Sequence, residues 1–169
     1  PNTFPDRGEP QYNSVDAALW FIVAATELLS AAEEMGLSVS AARRKILFAA
    51  VDQITSSYVN GTLFGVSLDD SDGLLAAGED ESQLTWMDAK VAGYPPVTPR
   101  IGKPVEVQAL WLSALFASDQ LLGKHKALYR KALKSFRSRF WNEQRQCLFD
   151  VIDVDHESDK TDARVRPNQ

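Results

Sequence analysis

VDAALWFIVAA, residues 15–25, carries one charge, Asp16, and is apolar at every later position. As a helix it is apolar on all sides, and such a helix is covered on most of its faces. Ser14 offers an N-cap and Gly36 a stop, which predicts a helix over 15–35. The pattern returns in VEVQALWLSALFA, residues 105–117, within a helix expected over 104–122 and opened by Pro104. VDAALW at 15–20 pairs with VEVQALW at 105–111, so Asp16 and Glu106 hold equivalent places in an internal repeat.

Each of these segments is followed by a helix of another kind. Over 40–59, Leu47, Val51, Ile54 and Tyr58 form one stripe, with Arg43, Arg44, Asp52 and Ser56 on the other side. Over 124–141, Tyr129, Ala132, Leu133, Phe136 and Phe140 do the same, with Lys126, Arg130, Lys134 and Arg137 facing away. LFGV at 63–66 and LFDV at 148–151 then repeat in turn, and read as short β-hairpins or ordered loops. The fold class is therefore all-α: about two αα-hairpins of a toroid, buried helices inside and half-buried helices outside, with short β-hairpins between. Two hairpins cannot close such a ring. Residues 1–169 read as a single partial domain with both ends cut, PNTFPD and RPNQ. The first helix is then expected to expose apolar faces, with possible self-association and the remainder of the barrel as natural partner.

Composition narrows the function. The net charge is −5 and there is no long basic run, which argues against a nucleic-acid partner. The lone Cys147 forms no internal disulfide and suits a reducing compartment; with no signal peptide, a cytoplasmic location is expected. The apolar run 17–25 is too short to span a bilayer, so no membrane partner is expected. His125 and His156 lack ligand-like spacing. SLDDSDG at 67–73 and DVDHESD at 153–159 lack EF-hand spacing and read as solvated turns. No P-loop, dinucleotide fingerprint or nucleophile elbow is present. No metal and no cofactor are expected.

The candidate residues sit where the inner helices begin. Asp16 and Glu106 read either as helix-start carboxylates favoured by the macrodipole or as acceptors for ligand hydroxyls. Trp20 lies one turn beyond Asp16, on the same face, and reads as core or as a ligand platform. Tyr12 and Asn13 precede the helix and are better placed to touch a ligand. Arg100 and Lys103, in TPRIGKPVE, flank the next helix start, where a cation orients a carboxylate or bonds a sugar. LTWMDAK, residues 84–90, places Trp86 beside Asp88 on the same rim. A carboxyl against an aromatic wall suits a general acid at a sugar site; the alternative is a turn carboxylate.

PNTFPDRGEPQYNSVDAALWFI, DGLLAAGE, LTWMDAK, TPRIGKPVEVQALW and RPNQ, in this order over almost the whole chain, resemble the glucosidase domain of glycogen debranching enzymes. The resemblance implies an (α/α)6 barrel that hydrolyses α-1,6 branch points of a glycogen-like α-glucan with inversion. It implies Asp88 as the general acid. It places Tyr12, Asn13, Asp16, Trp20, Trp86, Lys90, Arg100, Lys103 and Glu106 at or near the sugar subsite. An inverting enzyme needs a second carboxylate as base, which the resemblance puts beyond RPNQ. VAGYPPVTPR, residues 91–100, departs from the more usual VGDWVVTPR on the aglycone side. Two other readings stand beside this one: a toroid α-glucosidase of different specificity, and a non-catalytic helical carbohydrate-binding module.

Overall fold

The computed structural model describes residues 12–89, 94 and 96–162. Among these lie four α-helices: α1 (Ala17–Glu34), α2 (Ala41–Asn60), α3 (Val105–Leu122) and α4 (Lys126–Arg139). Each falls within two residues of its expected bounds. Ser14 Oγ accepts the Ala17 N–H ahead of α1, and Ser40 Oγ accepts the Arg43 N–H at the start of α2. Gly123, in the left-handed conformation (φ 67°), ends α3. No described helix is long and apolar enough to cross a membrane.

The third helix is the hub, packing against α1, α2 and α4. Val107, Trp111, Ala114 and Leu115 are fully enclosed, in keeping with its all-round apolar sequence. Trp111 stacks on Tyr58 of α2, with centroids 6.1 Å apart, and its Nε1–H donates to Gly73 O at 3.1 Å. Gln108, also fully buried, accepts from Leu75 N and donates to Leu75 O, so its burial leaves no amide stranded.

The first helix differs from its repeat partner. It buries a single stripe, Leu19, Ile22, Ala25, Leu29 and Ala32. Trp20 (56% exposed) and Leu28 (56%) face away from that core. The apolar first half of α1 is thus covered on one side only among the described residues.

The β-structure is a set of two-residue ladders. β1 (Ser67–Leu68) pairs with β2 (Leu75–Ala76), and β4 (Trp141–Asn142) with β5 (Cys147–Leu148), both antiparallel hairpins. β3 (Lys103–Pro104) pairs with β6 (Val151–Ile152), which ties the second repeat's loop to the start of α3. The first LF segment is not itself a strand: its ladder begins at Ser67, because Phe64 and Gly65 both take positive φ and turn the chain. In the second, Cys147–Leu148 and Val151–Ile152 are strands separated by Phe149 and Asp150.

Both inner helices are fastened in the same way. Val15 N donates to Leu84 O at 3.0 Å, and Val105 N donates to Asp150 O at 2.9 Å. Helix-start N–H groups have no partner within their own helix; here a loop carbonyl from further along the chain supplies one. Arg100 connects the two anchors, reaching Thr85 beside Leu84 and gripping Glu106 in the first turn of α3, so the two starts share one rim with the 84–88 loop.

Candidate functional site

The rim is organised around Asp88, which is 4% exposed. Its Oδ2 accepts Leu84 N and its Oδ1 accepts Thr85 N, both at 2.9 Å. The carboxylate closes its own loop by reaching back three and four residues. Leu84 is simultaneously the anchor for Val15, so Asp88 is fixed relative to the start of α1. Trp86 stands out of this loop at 64% exposure, with its ring free to face a ligand.

The same loop is tied to α3 through Arg100, whose side chain is fully buried. Its Nη1 lies 3.4 Å from Thr85 Oγ1. Both terminal nitrogens donate to Glu106, one to each carboxylate oxygen, in a forked pair. Nη2 also donates to Asp150 Oδ1 at 2.9 Å. A cavity of about 190 Å³ opens beside these groups, with Thr85, Asp88, Pro96, Pro99, Arg100 and Ile101 among its lining residues. Glu106 sits in the first turn of α3, where the helix dipole favours an anion, and its side chain keeps a 26% exposed edge.

Lys103 belongs to a second, separate cluster. Its Nζ donates to Asp69 Oδ2 (2.7 Å) and Asp72 Oδ2 (2.8 Å), and lies 2.7 Å from Asp153 Oδ2. An ammonium has three N–H groups, and all three are used. Arg139 from the end of α4 closes the far side on Asp72 and Asp153. Burial pulls the Lys103 pKa down, but bonds to Asp153, Asp69 and Asp72 outweigh it and raise it. Burial pushes Asp69 up, yet the Lys103 bond, with the Ser71 side chain and backbone, brings it down to about 2. Asp153 is likewise lowered against its burial by Arg139 and Lys103. The three carboxylates present oxygens within 4.8 Å of one another, a spacing a metal ion would accept, and the ammonium stands among them. The acidic stretches expected to be solvated turns are thus half of an ionic core. The reason is a pairing partner more than thirty residues away in sequence.

The remaining candidates lie around the start of α1. Tyr12 is 66% exposed, and Asn13 is half-buried. Asp16 is the first helix-flanking residue; its Oδ1 accepts from Ser14 Oγ, with no bond to a helix N–H. Beneath it, Tyr58 OH donates to Val15 O at 2.7 Å. Burial, then the charge of Asp16, pushes the Tyr58 pKa up to about 12. Trp20 is an exposed platform one turn further on. Lys90 lies outside the described residues.

The structure therefore joins Asp88, Arg100 and Glu106 in one bonded chain, sets Asp16 beside it through Val15 and Leu84, and puts Lys103 in another cluster. Thr85 and Asp150 are additions that the sequence reading did not single out. Asp150 left a trace there: it replaces Gly65 in the repeated LFGV/LFDV motif.

A family model described as amylo-alpha-1,6-glucosidase matches residues 1–169. The chain belongs to the amylo-alpha-1,6-glucosidase family. No curated protein and no solved structure matches it. The domain is of the glycogen-debranching glucosidase type. An α-glucan is the kind of ligand such a family implies.

Proposed function

We propose that this chain forms part of an inverting α-1,6-glucosidase barrel acting on branch points of a glycogen-like glucan in the cytoplasm, with Asp88 as general acid. The observation that carries the reading is the family match over the whole chain, with the TWMD loop held between the starts of α1 and α3. Trp86 supplies an exposed ring for the apolar face of a pyranose, with Tyr12, just ahead of α1, as a further exposed aromatic. Asp16 and Glu106 present acceptors for sugar hydroxyls. A carboxyl oxygen has two lone-pair sites. An Asp88 oxygen that accepts a loop N–H thus keeps a second edge, which in the protonated acid carries the proton given to the leaving oxygen. The base that activates water comes from the remainder of the barrel, which also covers the exposed side of α1.

The test is Asp88→Asn in the full-length enzyme, assayed for glucose release from an α-1,6-branched limit dextrin. Asn has no acidic proton to give, so the rate is expected to fall by ~10²–10⁴-fold; its NH2 also meets one of the two loop N–H groups that Asp88 accepts, so dextrin affinity is measured alongside to show that the loop still holds. Near-normal turnover by the variant would remove Asp88 from the chemistry. A full-length protein that binds the dextrin without ever hydrolysing it would leave a binding module instead.

A further inference from the structure

Asp150 is buried and acidic, and the sequence marks it only as the aspartate of LFDV. It lies between β5 and β6, at the mouth of α3, and makes two separate connections. Its backbone oxygen receives the first N–H of α3 from Val105, and its Oδ1 receives Arg100 Nη2 at 2.9 Å. Asp150 has no exposed side-chain surface and does not line the cavity beside Asp88, whereas Arg100, equally buried, meets that cavity at its wall. Glu106 does keep an exposed edge, and it is gripped from behind by both terminal nitrogens of Arg100.

A guanidinium on one carboxylate alone remains free to swing with it. Here the second carboxylate comes from another part of the chain, locked in place by the β3–β6 ladder. That fixes the plane of the guanidinium, and the forked bond transmits the plane to Glu106. The same Nη1 reaches Thr85 Oγ1, so the fork also braces the loop that carries Asp88.

We propose that Asp150 is a positioning residue: it fixes Arg100, and through Arg100 it presents the Glu106 carboxylate at one orientation to the glucosyl ring. The inference rests on the glucosidase reading above. Hydrogen bonds to sugar hydroxyls that strengthen in an oxocarbenium-like transition state require such fixed acceptors.

The experiment uses the full-length enzyme and two substrates, a branched limit dextrin and α-glucosyl fluoride. Fluoride leaves without a proton, so Asp88→Asn is expected to lose far more on the dextrin than on the fluoride. If it spares both substrates, the glucosidase reading fails first. Asp150→Ala, which removes the acceptor for Arg100 Nη2, is expected to lower kcat/KM on both substrates together, tenfold or more, because both present the same glucosyl ring. Combined with Glu106→Gln, it is expected to add almost nothing to the loss from Glu106→Gln alone. The inference is overturned if Asp150→Ala only lowers the melting temperature while the folded enzyme keeps its rates, or if the two losses multiply. Should Asp150→Ala fail to fold, Arg100→Lys repeats the cycle, keeping a cation between the carboxylates while losing the fork. A multiplicative loss there overturns the inference equally.

Discussion

Replacing Lys103 with methionine removes the centre of the ionic core while keeping much of its hydrocarbon bulk. Asp69, Asp72 and Asp153 then face one another with oxygens inside 4.8 Å and only Arg139 to balance them. Removing one partner of a buried pair costs roughly 3–5 kcal/mol. Arg139 offsets part of this, so a loss of about 3 kcal/mol at pH 7 is expected. With a urea slope of roughly 1–3 kcal/mol per molar, the midpoint falls by about 1–3 M. The loss should also depend on pH. In the native protein Asp69 titrates at about 2, below its ordinary 3.8, so its contribution is complete above the ordinary value and disappears as pH falls toward 2. That contribution is about 1 kcal/mol once the shift is discounted for a side chain 36% exposed. In the variant, mutual repulsion raises the carboxylate pKa values, the folded state takes up protons, and stability rises as pH falls from 7 to 4. Urea melts of both proteins at pH 7, 5.5 and 4 should therefore converge. An unchanged midpoint at pH 7, or a deficit that stays constant across the series, would refute the account of Lys103 as the cation holding these carboxylates together.

Gly102→Ala tests the crossing of β3 and β6: at φ +126° an added Cβ falls 2.6 Å from Asp153 O, so a loss of about 2–3 kcal/mol is expected in thermal or urea unfolding. A variant as stable as the wild type would show that the crossing has slack. Tyr58→Phe removes the bond to Val15 O, for an expected loss of about 1 kcal/mol. In the wild type, Tyr58 should remain protonated until pH approaches about 12. Because this raised pKa favours the neutral phenol in the folded state, its contribution is whole below the ordinary value of 10 and fades as pH rises through 12. Absorbance titration of the two proteins should show their difference only at that alkaline end.

The helices were legible because their signals are local. The stripe Val51, Ile54 and Tyr58, the Ser14 hydroxyl on Ala17 N–H and the positive-φ Gly36 beyond α1 all act within a turn or two of where they are read. The equivalence of Asp16 and Glu106 was legible as well, and both do sit at inner-helix starts. Their surroundings were not. Glu106 is gripped by Arg100 while Asp16 bonds Ser14, a difference set by residues outside either helix. Arg100 and Lys103 look alike in TPRIGKPVE but are three residues apart in an extended segment and enter different clusters. Their partners, Asp150, Asp69, Asp72 and Asp153, lie thirty to fifty residues away, where no periodicity points. Asp88 was read both as a turn carboxylate and as a reactive group. The observed bonds to Leu84 and Thr85 supply the first role, and its place on the rim leaves room for the second.

The fastening of each inner helix by a later loop bears on how the chain is made. Val15 waits for Leu84, and Val105 waits for Asp150, so in each case an outer helix is synthesised before the inner one is anchored. At ribosomal speeds of about 5–20 residues per second, α1 has only α2 for company for several seconds. Its Trp20 side has no partner among the described residues even after that. A pause or a chaperone acting between residues 60 and 84 would meet an apolar hairpin whose rim end is still open. Misassembly is therefore favoured in that interval, before the 84–88 loop has been threaded onto the helix start that it anchors.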